Sequence, residues 1–145
     1  MKLGKAISIA AQAFEGEYDK SGRPYILHCL EVMNNVDKYE DDELRIIAVL
    51  HDLIEDTRWE LDDVYVRCNA TDRVITALEL LTHIKDVPYE DYITCICTNQ
   101  DAIKVKLADI EHNSSILRLK GVRDKDLQRI AKYHKAYLRL KEELR

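Results

Sequence analysis

The stretch IIAVLHDLIEDT, Ile46 to Thr57, restricts the fold more than any other part of the chain. Projected at 3.6 residues per turn, Ile46, Ile47, Ala48, Val49, Leu50, Leu53 and Ile54 cover nearly the whole circumference of a helix. A helix that is apolar on every side is buried among other helices. His51 and Asp52 therefore enter a core. An ionised carboxylate without a partner is costly there, and aspartate is rarely buried alone. An internal salt bridge, a hydrogen-bonded His–Asp pair and a metal ion would each meet that demand.

The remaining pattern is also helical: about seven helices and no convincing strand, an all-α fold. Expected helices run roughly over 2–14, 24–36, 41–56, 71–84 and 124–143. A short one falls near 60–67, one opens at Pro88, and one begins near Asp101 and extends towards Leu117. Between the first two lies EGEYDKSGR, a turn rich in Gly, Asp and Ser. In the last helix Leu127, Ile130, His134, Tyr137 and Leu144 form a stripe that packs on the core, or on a second copy in a homodimer. With 145 residues and 46% hydrophobic content, the chain is expected to be one domain spanning residues 1–145.

Several functional classes are disfavoured. No apolar run approaches the ~20 residues of a membrane span, and the opening MKLGKAISIAAQAFEGE turns acidic too soon for a secretion signal. Cys29, Cys68, Cys95 and Cys97 contain no CxxC pair and read as reduced thiols of a cytoplasmic protein. A net charge of −5 argues against general nucleic-acid binding. Residues 118–145 nevertheless carry ten Lys/Arg against four Asp/Glu, a basic segment that either is a solvated face or helps to attract a polyphosphate.

Two other helices repeat the anomaly of His51 and Asp52. In PYILHCLEVM, His28 is surrounded on the helical net by Tyr25, Leu27, Cys29, Val32 and Met33; it is either a hydrogen-bonded core histidine or a ligand. In AIKVKLADIEHN, Ala102, Val105, Asp109 and His112/Asn113 share one face, and Lys106 offers Asp109 a salt bridge one turn back. Two imidazoles and two carboxylates together supply four N/O ligands, a mixture that suits Mn²⁺, Fe²⁺ or Zn²⁺ better than Ca²⁺. Four protein ligands around an ion that accepts six leave room for water, which points to catalysis rather than to a structural metal.

The order His28, His51-Asp52, Asp109 resembles the HD-domain phosphohydrolases. The blocks YDKSGRPYILH, AVLHDLIEDT and VKLADIEHN are similar to those of the hydrolase domain of RelA/SpoT-type enzymes, including small stand-alone versions, over roughly residues 5–118. The resemblance implies a compact helical bundle with one Mn²⁺ that removes pyrophosphate from the 3′ position of guanosine tetra- or pentaphosphate. By position it implies that His28, His51, Asp52 and Asp109 bind the metal. It also implies that Glu55 and Asp56 are the catalytic carboxylates handling the attacking water. Asn113 would lie near the nucleotide sugar, with Lys20 and Arg23 in a loop that meets the substrate.

Residue spacing agrees with part of this. Glu55 follows His51 by four positions and Asp52 by three, so a regular helix puts it on their face, where it can accept a proton. A helix-end charge beside Arg58 is the other reading of Glu55, and Lys20 and Arg23 could equally be surface cations. The chain departs from the family pattern at Phe14, Cys29 and Ile110; at the last, an Arg is common in relatives. The loss of that cation leaves open a phosphatase acting on nucleoside monophosphates or another phosphorylated nucleotide. A non-catalytic binding protein with a vestigial site is a third reading, which the intact Glu55-Asp56 pair opposes.

Overall fold

In the computed structural model, which describes residues 1–145, the chain folds into nine α-helices and one 3-10 turn (Asp37–Tyr39), with no strand. The helices are α1 (Leu3–Ala13), α2 (Ile26–Asn35), α3 (Asp42–Leu50), α4 (Leu53–Asp56), α5 (Leu61–Cys68), α6 (Asp72–Leu81), α7 (Tyr89–Ile96), α8 (Gln100–Asn113) and α9 (Asp124–Glu143). The apolar helix is central: α3 packs against α1, α2, α6 and α8, and Leu44, Ile47, Ala48, Val49 and Leu50 are fully buried. Burying each Leu, Ile or Val side chain contributes about 1.5–3 kcal/mol, so α3 anchors the one apolar cluster that joins the helices.

Local chemistry starts these helices where it should. The side chains of Asp41, Thr71 and Asn99 accept hydrogen bonds from the backbone N–H groups of Leu44, Val74 and Ala102, capping α3, α6 and α8. Arg73, on α6, ties the starts of α3 and α8 together, pairing with the cap Asp41 at 2.6 Å, Glu43 at 3.1 Å and Asp101 at 2.8 Å. In the EGEYDKSGR turn, Asp19 Oδ1 accepts from the N–H groups of Ser21 and Arg23, and Gly22 adopts a positive φ of 82°.

Three expectations need correction. The helix expected over 41–56 is broken at His51-Asp52, which separates α3 from α4. The helix expected to approach Leu117 ends at Asn113, where the N–H of Ser114 bonds to Ile110 O and closes the last turn. The stripe on α9 holds only in part: Tyr137 and Leu144 pack on the core and Ile130 is half-buried, but Leu127 and His134 are exposed, and the buried residues of the helix are Asp126, Ala136 and Leu140. Asp126 takes the inward place because its carboxylate accepts from Arg123 N at 2.9 Å and pairs with Arg129 at 3.0 Å.

Candidate active site

His28 projects from α2, Asp109 from α8, and His51 and Asp52 from the break between α3 and α4. Neighbouring residues of a regular helix do not face each other, yet His51 Nε2 and Asp52 Oδ2 lie 2.9 Å apart. The break makes this meeting possible. The N–H of His51 bonds to Ala48 O, three residues back, its ring Nδ1 lies 2.7 Å from the same oxygen, and Asp52 turns to φ −99°, ψ 0° before α4 begins.

The donors converge. His28 Nε2 is 3.3 Å from His51 Nε2, 3.1 Å from Asp109 Oδ1 and 3.4 Å from Asp52 Oδ2, and His51 Nε2 is 3.4 Å from Asp109 Oδ1. All four donor atoms lie within 4.8 Å of one another. Metal–ligand bonds of about 2.0–2.2 Å require neighbouring donors roughly 3 Å apart, which is the spacing found. Donor chemistry fits as well. With Nδ1–H of His51 directed at Ala48 O, its Nε2 faces the cluster and offers a lone pair to a cation that displaces its proton. His28 Nδ1 lies 2.7 Å from His112 Nδ1. Tyr25 OH donates to Asp52 Oδ2 at 2.6 Å, Lys106 Nζ to Asp109 Oδ2 at 2.8 Å, and Asn113 Nδ2 to Asp109 Oδ1 at 2.9 Å. The cluster is thus a possible divalent-metal site. The salt bridge between Lys106 and Asp109 coexists with it, because each uses a different carboxylate oxygen.

Burial and charge act in opposition here. Burial lowers His51, but the Asp52 and Asp109 carboxylates outweigh it and raise the imidazole well above its ordinary range. Burial raises Asp109, but Lys106 and the two histidines hold it well below the usual carboxylate range. Burial, with Asp52 and Glu55 nearby, pushes Asp56 up to about 6. Burial, with the charges of His28 and Arg118, lowers His112 to about 4.

Glu55 and Asp56 lie on α4, the short helix that follows Asp52. The backbone N–H of His83 donates to Glu55 Oε1 at 2.7 Å, and the His83 ring reaches Val87 O and stacks on Tyr92. Tyr25 OH lies 3.5 Å from Asp56 Oδ2, so one phenol connects Asp52 and Asp56. Next to the donors is a cavity of about 270 Å³ lined by His28, His112, Asn113, Lys20, Arg118 and Arg129 among others. Lys20 therefore reaches it. Arg23 does not; it lines a separate polar pocket of about 390 Å³ that shares His112, Ser115 and Arg118. Asn113 lines the main cavity with its amide N–H committed to Asp109. Ile110 is buried in the apolar core, so at that position this chain has a packing residue rather than a wall of the cavity.

The sequence alone did not single out Tyr25, Arg118, Arg129 or His83 for the site. Tyr25 had a signal, since it precedes His28 by three positions on the same helical face. The two arginines had none: Arg118 lies in the loop after α8 and Arg129 on a helix whose inward face is set by Asp126.

An all-α bundle that gathers two histidines and two aspartates from three separate segments fits the HD-domain pattern that the sequence blocks resemble. In particular, it matches a solved metazoan ortholog of SpoT that hydrolyses ppGpp, with a TM-score of 0.76 over 95% of this chain and 84% of that one, at 20% identity. In sequence the chain is 29% identical over 134 residues to the guanosine-3′,5′-bis(diphosphate) 3′-pyrophosphohydrolase of Haemophilus influenzae, covering 86% of this chain and 20% of that one. It is 32% identical over 84 residues to the protein of the same name from Borreliella burgdorferi, covering 57% of this chain and 12% of that one. A GTP pyrophosphokinase of Streptomyces coelicolor is 27% identical over 127 residues, covering 81% of this chain and 15% of that one. The chain thus spans a fifth or less of the length of these curated relatives. No protein-family model matches it.

Proposed function

We propose that this chain is a metal-dependent phosphohydrolase that removes pyrophosphate from the 3′ position of guanosine tetra- or pentaphosphate. The observation that carries the reading is the convergence of His28, His51, Asp52 and Asp109 beside a cavity lined by Lys20, Arg118 and Arg129. The hydrolase names of the Haemophilus and Borreliella relatives and the activity of the metazoan structure supply the substrate. His28, His51, Asp52 and Asp109 would hold the cation, and Mn²⁺ is the ion we infer from the mixed N/O donors. When bound, the cation supplies Lewis-acid polarisation of phosphate oxygen and water.

The residues of the chain divide the remaining work. Glu55, oriented through Oε1 by the backbone of His83, takes the proton of the attacking water. The water oxygen forms a bond to the phosphorus attached to O3′, the bond from that phosphorus to O3′ breaks, and pyrophosphate departs. O3′ needs a proton, and Asp56, whose carboxyl is pushed up to about 6, would supply it from its protonated fraction. Lys20, Arg118 and Arg129 neutralise phosphate oxygens along the cavity wall.

Assaying the purified protein with Mn²⁺ against a nucleotide panel tests this. Pyrophosphate should be released from guanosine tetraphosphate, with GTP left largely intact. Preferential release of inorganic phosphate from 5′-monophosphates would establish the phosphatase reading instead, and metal binding without turnover would establish the vestigial one.

A further inference from the structure

His112 touches the donor cluster without belonging to it. It sits on α8, three residues after Asp109, and its ring meets that of His28 edge to edge, with centroids 4.9 Å apart and planes inclined by 26°. The two Nδ1 atoms are 2.7 Å apart. Two ring nitrogens approach that closely when one carries a proton and the other presents its lone pair. His28 Nε2 faces His51, Asp52 and Asp109 at 3.1–3.4 Å, and a cation held there requires its lone pair. A neutral imidazole has one N–H, so the proton of His28 is then on Nδ1. His28 donates, His112 accepts through Nδ1, and the proton of His112 is left on Nε2.

The other imidazole of the cluster is held differently. His51 Nδ1 is oriented by the main-chain oxygen of Ala48, which no side-chain substitution removes. For His28 the orienting acceptor is a side chain 84 residues away in sequence, and it is the one partner of His28 Nδ1. On the metal reading above, we propose that His112 is a positioning residue: it fixes the tautomer and ring plane of His28 and thereby sets the affinity of the site for its divalent cation. The helix α8 then performs two tasks with residues one turn apart, presenting Asp109 and aligning His28.

Calorimetric titration of chelator-stripped protein with Mn²⁺ tests this in three variants. His112→Phe keeps an aromatic ring but has no acceptor, His112→Ala removes both, and His112→Gln restores an acceptor oxygen. Loss of such an outer partner typically weakens metal binding about 10–100-fold. The Phe and Ala variants should show that loss, and the Gln variant should recover most of it. Metal-free melting of the Gln and Phe variants should stay close to that of the parent, which separates alignment from packing. With diamagnetic Zn²⁺ bound, ¹⁵N-edited spectra should show the His28 ring proton on Nδ1, protected in the parent and exchanging in the Phe variant. Parental affinity in the Phe variant, or Gln binding as weakly as Ala, overturns the proposal. If the Phe variant fails to fold, the Ala–Gln comparison decides alone. A parent protein that binds no Mn²⁺ overturns the metal reading itself, a distinguishable failure.

Discussion

Replacing Lys106 with Met should separate the electrostatic demand of the site from its packing. Lys106 Nζ is 2.8 Å from Asp109 Oδ2, and their side chains are only 13% and 6% exposed. Lys106→Met keeps most of the aliphatic stem and leaves Asp109 facing one cation fewer. Removing one partner of a buried ion pair costs about 3–5 kcal/mol. His28 and His51 still approach Asp109 Oδ1, at 3.1 and 3.4 Å, so the lower end applies. For a chain of 145 residues the unfolding entropy is about 0.3 kcal/mol/K. The metal-free variant should therefore melt roughly 10 °C lower than the parent. A divalent cation beside Asp109 supplies much of the missing charge, so saturating Mn²⁺ should raise the Tm of the variant more than that of the parent. Thermal unfolding followed by circular dichroism, in chelator and in Mn²⁺, gives all four values. A metal-free loss below about 3 °C, near 1 kcal/mol, or an equal loss with and without metal, would refute the reasoning.

Other perturbations address single atoms. Glu55→Gln cannot take a proton and should lower kcat about 10²-fold or more while Mn²⁺ affinity is retained; near-parental turnover would make Glu55 only a helix-end charge. Lys20→Ala and Arg118→Ala, which alter the cavity, should each lower kcat/KM for guanosine tetraphosphate about tenfold or more, whereas Arg23→Ala, in the adjoining pocket, should cost less. Asp56→Asn should stabilise the metal-free protein in a pH-dependent way. Below about pH 4 the carboxyl is protonated folded and unfolded, so it has no effect. As pH rises towards 6 the unfolded state ionises first and the parent loses stability, and above 6 the full penalty remains. The Asn variant should thus melt higher at pH 7.5, by only a few degrees because Asp56 is only partly shielded from water, and the gap should close below about pH 4.

The periodicity of the sequence by itself determined the all-helical class, the central buried helix and the inward direction of His28 and Asp109. Those are local properties: a helix shows its buried face through the spacing of its apolar residues. The Lys106–Asp109 pair was legible for the same reason, being one turn apart on one helix. The tertiary structure decided what depends on bringing distant segments together. His28 and His112 meet across 84 residues, and Arg118 reaches Asp19 across 99. It also decided the break at His51-Asp52. A continuous helix would separate these adjacent side chains, and nothing in IIAVLHDLIEDT marks a stop: it contains no Gly or Pro. The same limit explains α9, where the apolar stripe suggested Leu127 and the fold turned Asp126 inward. There a buried carboxylate satisfied by Arg123 and Arg129 fits the interior, because hydrogen-bond satisfaction can set a helix's inward face against its hydrophobic spacing.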